Sequence, residues 1–131
     1  MLSRLAWALL AGVMSFALAP ARAQQSAPAA APAVQRIAIA IKGRTVDSAQ
    51  RRIRVPQKDT VELAFTSDEK AELHLHGYDR LLTVEPGATA VLRLDATIAG
   101  RFSLEAHSFG GGEARGRRGH VVLLYLEVYP R

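Results

Sequence analysis

The chain contains no cysteine, and its two methionines, Met1 and Met14, both fall within the first fourteen residues. No disulfide can form. Once the N-terminal segment is removed, a bound metal has only imidazole, carboxylate or water to hold it, and a thiolate or thioether centre is excluded. Other absences narrow the field further. No stretch carries a sustained helical stripe of apolar residues. The triple glycine Gly110-Gly111-Gly112 lacks the Gly-Lys-Ser/Thr ending of a phosphate loop. No serine or cysteine nucleophile sits in a recognisable strand–turn–helix setting.

What is present begins with an address. Arg4 supplies a positive start, an apolar run extends from Leu5 to Ala19, and Ala21-Arg22-Ala23 gives a small-x-small cleavage pattern. Residues 1–23 are read as a signal peptide, cleaved to leave Gln24 as the new N-terminus. The rival reading, an uncleaved anchor, suffers because a span needs about 20 apolar residues. The expected destination is the periplasm or the cell exterior, with no membrane attachment after cleavage. Without cysteine, a protein in that oxidising space must rely on packing, or on packing plus metal. Losing Arg4 and Arg22 trims the formal charge of +5 to a mild basic excess. That is no nucleic-acid signature, and nucleic acid is not an expected partner.

Residues 24–35, Ala/Pro-rich and uncharged, read as a linker. Residues 36–131 then form one domain with a single core. Apolar residues alternate at Ile37, Ile39 and Ile41, at Ile53 and Val55, at Val61, Leu63 and Phe65, and at Leu73 and Leu75. They recur at Leu82 and Val84, at Leu92 and Leu94, and at Phe102 and Leu104, with turn residues between. Such short period-2 segments are strands. The fold class is all-β, a Greek-key sandwich or barrel of seven or eight strands. Val121–Val128 is apolar on both faces and is expected to be a central strand covered on both sides. The preceding Ser108–Gly119 stretch reads as a glycine-rich, basic loop.

The four histidines are the candidate site. His74 and His76 lie two apart on one strand, so both point to one face, roughly 7 Å apart along the chain. Glu72 shares that face and could ligate, or could orient an imidazole from behind. The competing reading is a polar, solvent-facing strand side above Leu73 and Leu75. His107 ends one strand and His120 opens the last, and antiparallel pairing could bring the two together. Tyr78 and Phe109 flank the candidate mouth, where each could shield a metal or belong to the core. Arg115, Arg117 and Arg118, with Arg101, could meet an acidic partner or simply solubilise a loop. A cupin would place a glutamate four or five residues after the second histidine of a His-x-His pair; here those positions hold Arg80 and Leu81.

The chain resembles a cupredoxin-like domain over most of residues 36–131. The resemblance rests on His76-Gly77-Tyr78, the Val84-Glu85-Pro86-Gly87 turn, Leu92-Arg93-Leu94, Ala99-Gly100-Arg101-Phe102 and the closing strand through Glu127-Val128. It implies that His76 matches the first histidine ligand of that family. Ala106 falls at the cysteine position, His107 is one residue beyond, and His120 lies at the far end of the ligand loop. The missing cysteine implies no intense blue colour and no fast electron transfer. The chain is also similar to exported cupredoxin-like proteins with a His-x-His-Gly-Tyr motif and no cysteine, and that similarity implies metal handling.

Together these readings give an exported copper-binding protein using His76, His107 and His120, with His74 as a further candidate, for copper sequestration, delivery or tolerance. Cu(II) is favoured, and Zn(II) suits the same ligand types. A binding role is expected rather than an enzymatic one, with a small copper oxidase left open. The alternative is a metal-free interaction module of the periplasm, engaging an acidic protein.

Overall fold

The alternating apolar residues become strands along the whole described chain. The computed structural model describes residues 31–113 and 120–131. The signal peptide, most of the linker, and Arg115, Arg117 and Arg118 lie outside the described residues. The strands are β1 (Val34–Ile41), β2 (Arg52–Pro56), β3 (Thr60–Ser67), β4 (Ala71–Leu75) and β5 (Arg80–Val84). They continue with β6 (Ala90–Asp95), β7 (Gly100–Phe109), β8 (Gly112–Glu113) and β9 (Val121–Tyr129). One short 3-10 turn, Ser48–Gln50, precedes β2. No helix among the described residues is long and apolar enough to cross a membrane.

Eight of these strands match the sequence expectation; the ninth, β8, arises inside the segment read as a loop. Ser108 and Phe109 still belong to β7 and pair with Glu113 and Gly112 of β8. Gly110 and Gly111 make the reversal at φ 61° and 82°, a left-handed conformation that glycine adopts without steric cost. Phe109 is buried in the core, so the chain stays anchored to that point. β1 also begins earlier than the expected domain start at Arg36, because Val34 already pairs with Thr60.

One sheet has the order β1-β3-β6, with β1 parallel and β6 antiparallel to β3. The larger sheet has the order β2-β9-β7-β4-β5, with β8 added to β7. Only its β2–β9 pair is parallel. The core gathers Ile39, Ile41, Val61, Leu63, Phe65, Leu92 and Leu94 from the first sheet. From the second come Val55, Leu73, Leu75, Leu104, Leu124, Leu126 and Val128. Burying each such side chain contributes about 1.5–3 kcal/mol, enough for packing to replace the missing disulfides. A buried polar clamp joins the start of β1 to Arg131: Asp59 accepts from the Ala33 N–H (3.0 Å) and Gln35 Nε2 (2.8 Å) and pairs with Arg131.

Two bulges set what faces outward on the large sheet. Between β4 and β7 the partner steps from Ser108 to Ala106, leaving His107 as the extra residue. Between β7 and β9 it steps from Leu124 to Val122, leaving Leu123 extra. The second bulge corrects the expectation for β9. The strand is interior, between β2 and β7, but it is not covered on both faces. Leu123 and Leu124 are both buried because the bulge breaks the alternation there. Val122 and Tyr129 remain exposed, with Tyr125 and Glu127 half-buried.

Candidate metal centre

Alternation along β4 and β7 separates two chemistries. Leu73, Leu75, Leu104 and Ala106 point into the core and are essentially inaccessible. His74 pairs with Glu105 across the β4–β7 ladder, and both are half-buried on the outward face. The same alternation along β7 puts His107 on that face, two residues after Glu105. His76 follows directly after β4, its N–H donating to the Ser103 carbonyl at 3.0 Å. His120 stands immediately before β9.

All four predicted histidines come together. Ring centroids lie 4.1 Å apart for His74 and His76, 5.2 Å for His74 and His107, and 6.1 Å for His76 and His107. His107 and His120 are 4.2 Å apart. His74, His76 and His107 each offer a ring nitrogen within 4.8 Å of the other two, and Glu105, His107 and His120 offer a second such set. His107 is common to both. His74 and His107 stand on the outer face of the large sheet, where period-2 alternation sends them away from the core, while His76 and His120 join them from just beyond the end of β4 and just before β9.

The polar environment is incomplete in a specific way. Among the described residues, His74 Nδ1, His76 Nε2, His107 Nε2 and His120 Nδ1 are all buried and lack a hydrogen-bond partner. Leaving such a group unpaired costs about 1–3 kcal/mol. The other nitrogen of His74, Nε2, lies 3.0 Å from Asp79 Oδ1. A carboxylate only accepts, so Nε2 is the donor in this contact and Nδ1 is the nitrogen left for another partner. Burial, followed by the neighbouring His120, His74 and His76, holds His107 below its ordinary pKa, with Glu105 opposing. His107 is therefore favoured in its neutral, metal-ligating form.

Glu72 does not join the group. It is exposed and belongs to neither set of potential ligands; across the ladders it meets Thr83 and Ser108. Tyr78 and Phe109 serve packing. Tyr78 stacks edge-on against Phe102 and its hydroxyl bonds the Ile98 carbonyl at 2.8 Å, while Phe109 is core. Arg101 lies on the Tyr125 ring, 3.9 Å from its centroid, and near Glu127. The residue that sequence reasoning missed is Glu105. Its signal was present in Glu105-Ala106-His107, where alternation places Glu105 on the face of His107.

No family model and no curated protein matches the chain. Solved structures do. A heme-copper terminal oxidase superimposes with a TM-score of 0.57 at 21% identity, over 72% of this chain and 65% of that one. The periplasmic domain of subunit II of cytochrome oxidase (CoxB) of Bradyrhizobium japonicum gives 0.56 at 13% identity, over 73% of this chain and 84% of that domain. A copper-binding protein in its apo form gives 0.54 at 14% identity, over 73% and 88%. The fold is cupredoxin-like. At these identities the likeness speaks for the fold alone, and the cupredoxin-like chain spans less than two thirds of the oxidase chain it matches.

Proposed function

We propose that this cupredoxin-like chain is an exported copper-binding protein that holds Cu(II) through His76, His107 and His120, with His74 contributing. Its role is copper sequestration, delivery or tolerance rather than blue-copper electron transfer. One observation carries the reading: four imidazole nitrogens, each buried and without a hydrogen-bond partner among the described residues, lie in one patch of the large sheet. They divide into two sets that share His107, so a divalent cation would satisfy either His74, His76 and His107 or His107 and His120 with Glu105. Imidazole suits Cu(II) and Zn(II), and the absence of sulfur weakens the case for Cu(I). That two of the neighbouring structures are described as copper proteins supports copper over zinc. When bound, the ion would supply partners for the imidazole lone pairs and would cross-link the end of β4, β7 and the start of β9.

Delivery requires a docking partner. On the outward face of the large sheet, Arg52, Arg54 and Arg101 all lie within 4 Å of the single carboxylate of Glu127. Three guanidinium groups around one acid leave a positive excess, which fits an acidic protein of the same compartment.

The test is metal-dependent stability. Adding Cu(II) to the wild type should raise its unfolding temperature in a concentration-dependent way. A His76→Ala, His107→Ala double variant should fold and gain nothing from the metal. Equal behaviour of the two proteins would contradict the proposal.

A further inference from the structure

We infer that Glu105 is a metal-ligating carboxylate, which makes the centre a mixed nitrogen–oxygen site with His107 as its shared residue. The inference rests on the metal reading above and deepens it.

Three observations carry it. The first is position. Glu105 Oε2 lies 3.2 Å from His76 Nε2 and 3.6 Å from His120 Nδ1. Among the described residues both nitrogens lack a hydrogen-bond partner despite that proximity, so the carboxylate is close to them without being committed to either. The second is orientation. The Ser103 hydroxyl donates to Glu105 Oε1 at 3.0 Å, fixing one oxygen and leaving the other toward the imidazoles. Holding a ligand from behind in this way is how proteins aim a carboxylate at an ion.

The third is charge. Glu62, Glu69, Glu85 and Glu127 each have an arginine or lysine within ion-pair distance. Among the described residues, Glu105 has only imidazoles. Its side chain is 20% exposed, so water compensates its charge only partly. A partly buried carboxylate with no arginine or lysine beside it is costly unless a cation joins it. Glu105 thus completes a second three-ligand set with His107 and His120, beside the all-nitrogen set of His74, His76 and His107. An oxygen donor also moves the preference of the centre further toward hard, divalent ions and away from Cu(I).

The experiment is Cu(II) titration of the purified protein and of Glu105→Gln, followed by electron paramagnetic resonance and by competition with a chromophoric chelator. Glutamine keeps the shape and removes the charge. The expected result is an affinity about ten- to a hundredfold weaker. The spectrum should lose its oxygen-donor character while nitrogen hyperfine structure remains. Glu72→Gln, on the same strand face but outside the centre, should match the wild type. If Glu105→Gln does not fold, Glu105→Asp replaces it, with the same expected direction because the shorter chain withdraws the oxygen. A folded Glu105 variant with wild-type affinity and spectrum would overturn the assignment while leaving copper binding intact. Failure of the wild type itself to bind Cu(II) would overturn both.

Discussion

His74 Nε2 lies 3.0 Å from Asp79 Oδ1, which leaves the buried Nδ1 as the ring nitrogen without a hydrogen-bond partner among the described residues. Asp79 is itself placed by a left-handed backbone, φ 52°, in the turn that joins β4 to β5. The pair is exposed on the aspartate side, so its direct worth to folding is small. Its worth to a bound metal would be larger, because it would orient a ligand.

Replacing Asp79 with glycine tolerates the backbone conformation and removes the carboxylate. Cu(II) affinity should fall about tenfold or more, measured by chelator competition. Metal-free stability should change by no more than about 0.5 kcal/mol. An unchanged affinity would show that His74 does not ligate through Nδ1.

The two faces of β4 and β7 should respond in opposite ways to truncation. Leu104→Ala hollows the core and should cost about 2–5 kcal/mol in denaturant unfolding. His107→Leu removes a buried, unpartnered nitrogen on the other face. Metal-free stability should then hold steady or rise by about 1 kcal/mol, and stabilisation by Cu(II) should disappear. A large loss of metal-free stability in His107→Leu would mean that the imidazole serves the fold.

Much of this arrangement was legible in the chain. The alternation at Ile39 and Ile41, Leu63 and Phe65, and Leu73 and Leu75 reports a buried face locally, and those residues are core. The His-x-His pair on β4 is read in the same way. Glu105 shares the face of His107 by the same local alternation. The β9 face was harder, because it depends on which residues pair across strands. Neighbouring sequence does not encode that register. Neither bulge could be read from periodicity: one leaves Ser108 half-buried next to buried Phe109, and the other buries Leu123 beside Leu124.

Gly77 links the fold to the centre. It follows His76 with φ 83°, and a Cβ there would collide with the Phe102 ring. Gly77→Ala should therefore cost about 2 kcal/mol or more, through backbone strain and overpacking together. It should also weaken Cu(II) binding by displacing His76. Wild-type thermal stability in this variant would contradict the packing described for the turn.

Acid should act through Asp59. It is fully buried, and the Ala33 N–H, the Gln35 amide and the Arg131 charge hold its carboxyl below the ordinary value near 3.8, against the effect of burial. A depressed folded pKa means that its stabilising contribution is complete above about pH 4 and is lost as pH falls through the folded value. Denaturant unfolding between pH 6 and pH 2 should show wild-type stability declining in acid. Asp59→Asn should be less stable at neutral pH and flatter in acid. Parallel curves for the two proteins would exclude this role.

The central claim is that the four histidines form a copper centre, and the most direct measurement is a Cu(II) titration of the purified protein read by electron paramagnetic resonance. The account predicts one tight equivalent with nitrogen hyperfine structure, absent from the His76→Ala, His107→Ala double variant. Weak signals that are the same in both proteins would contradict it, and the histidines would then be no more than a polar patch on the sheet.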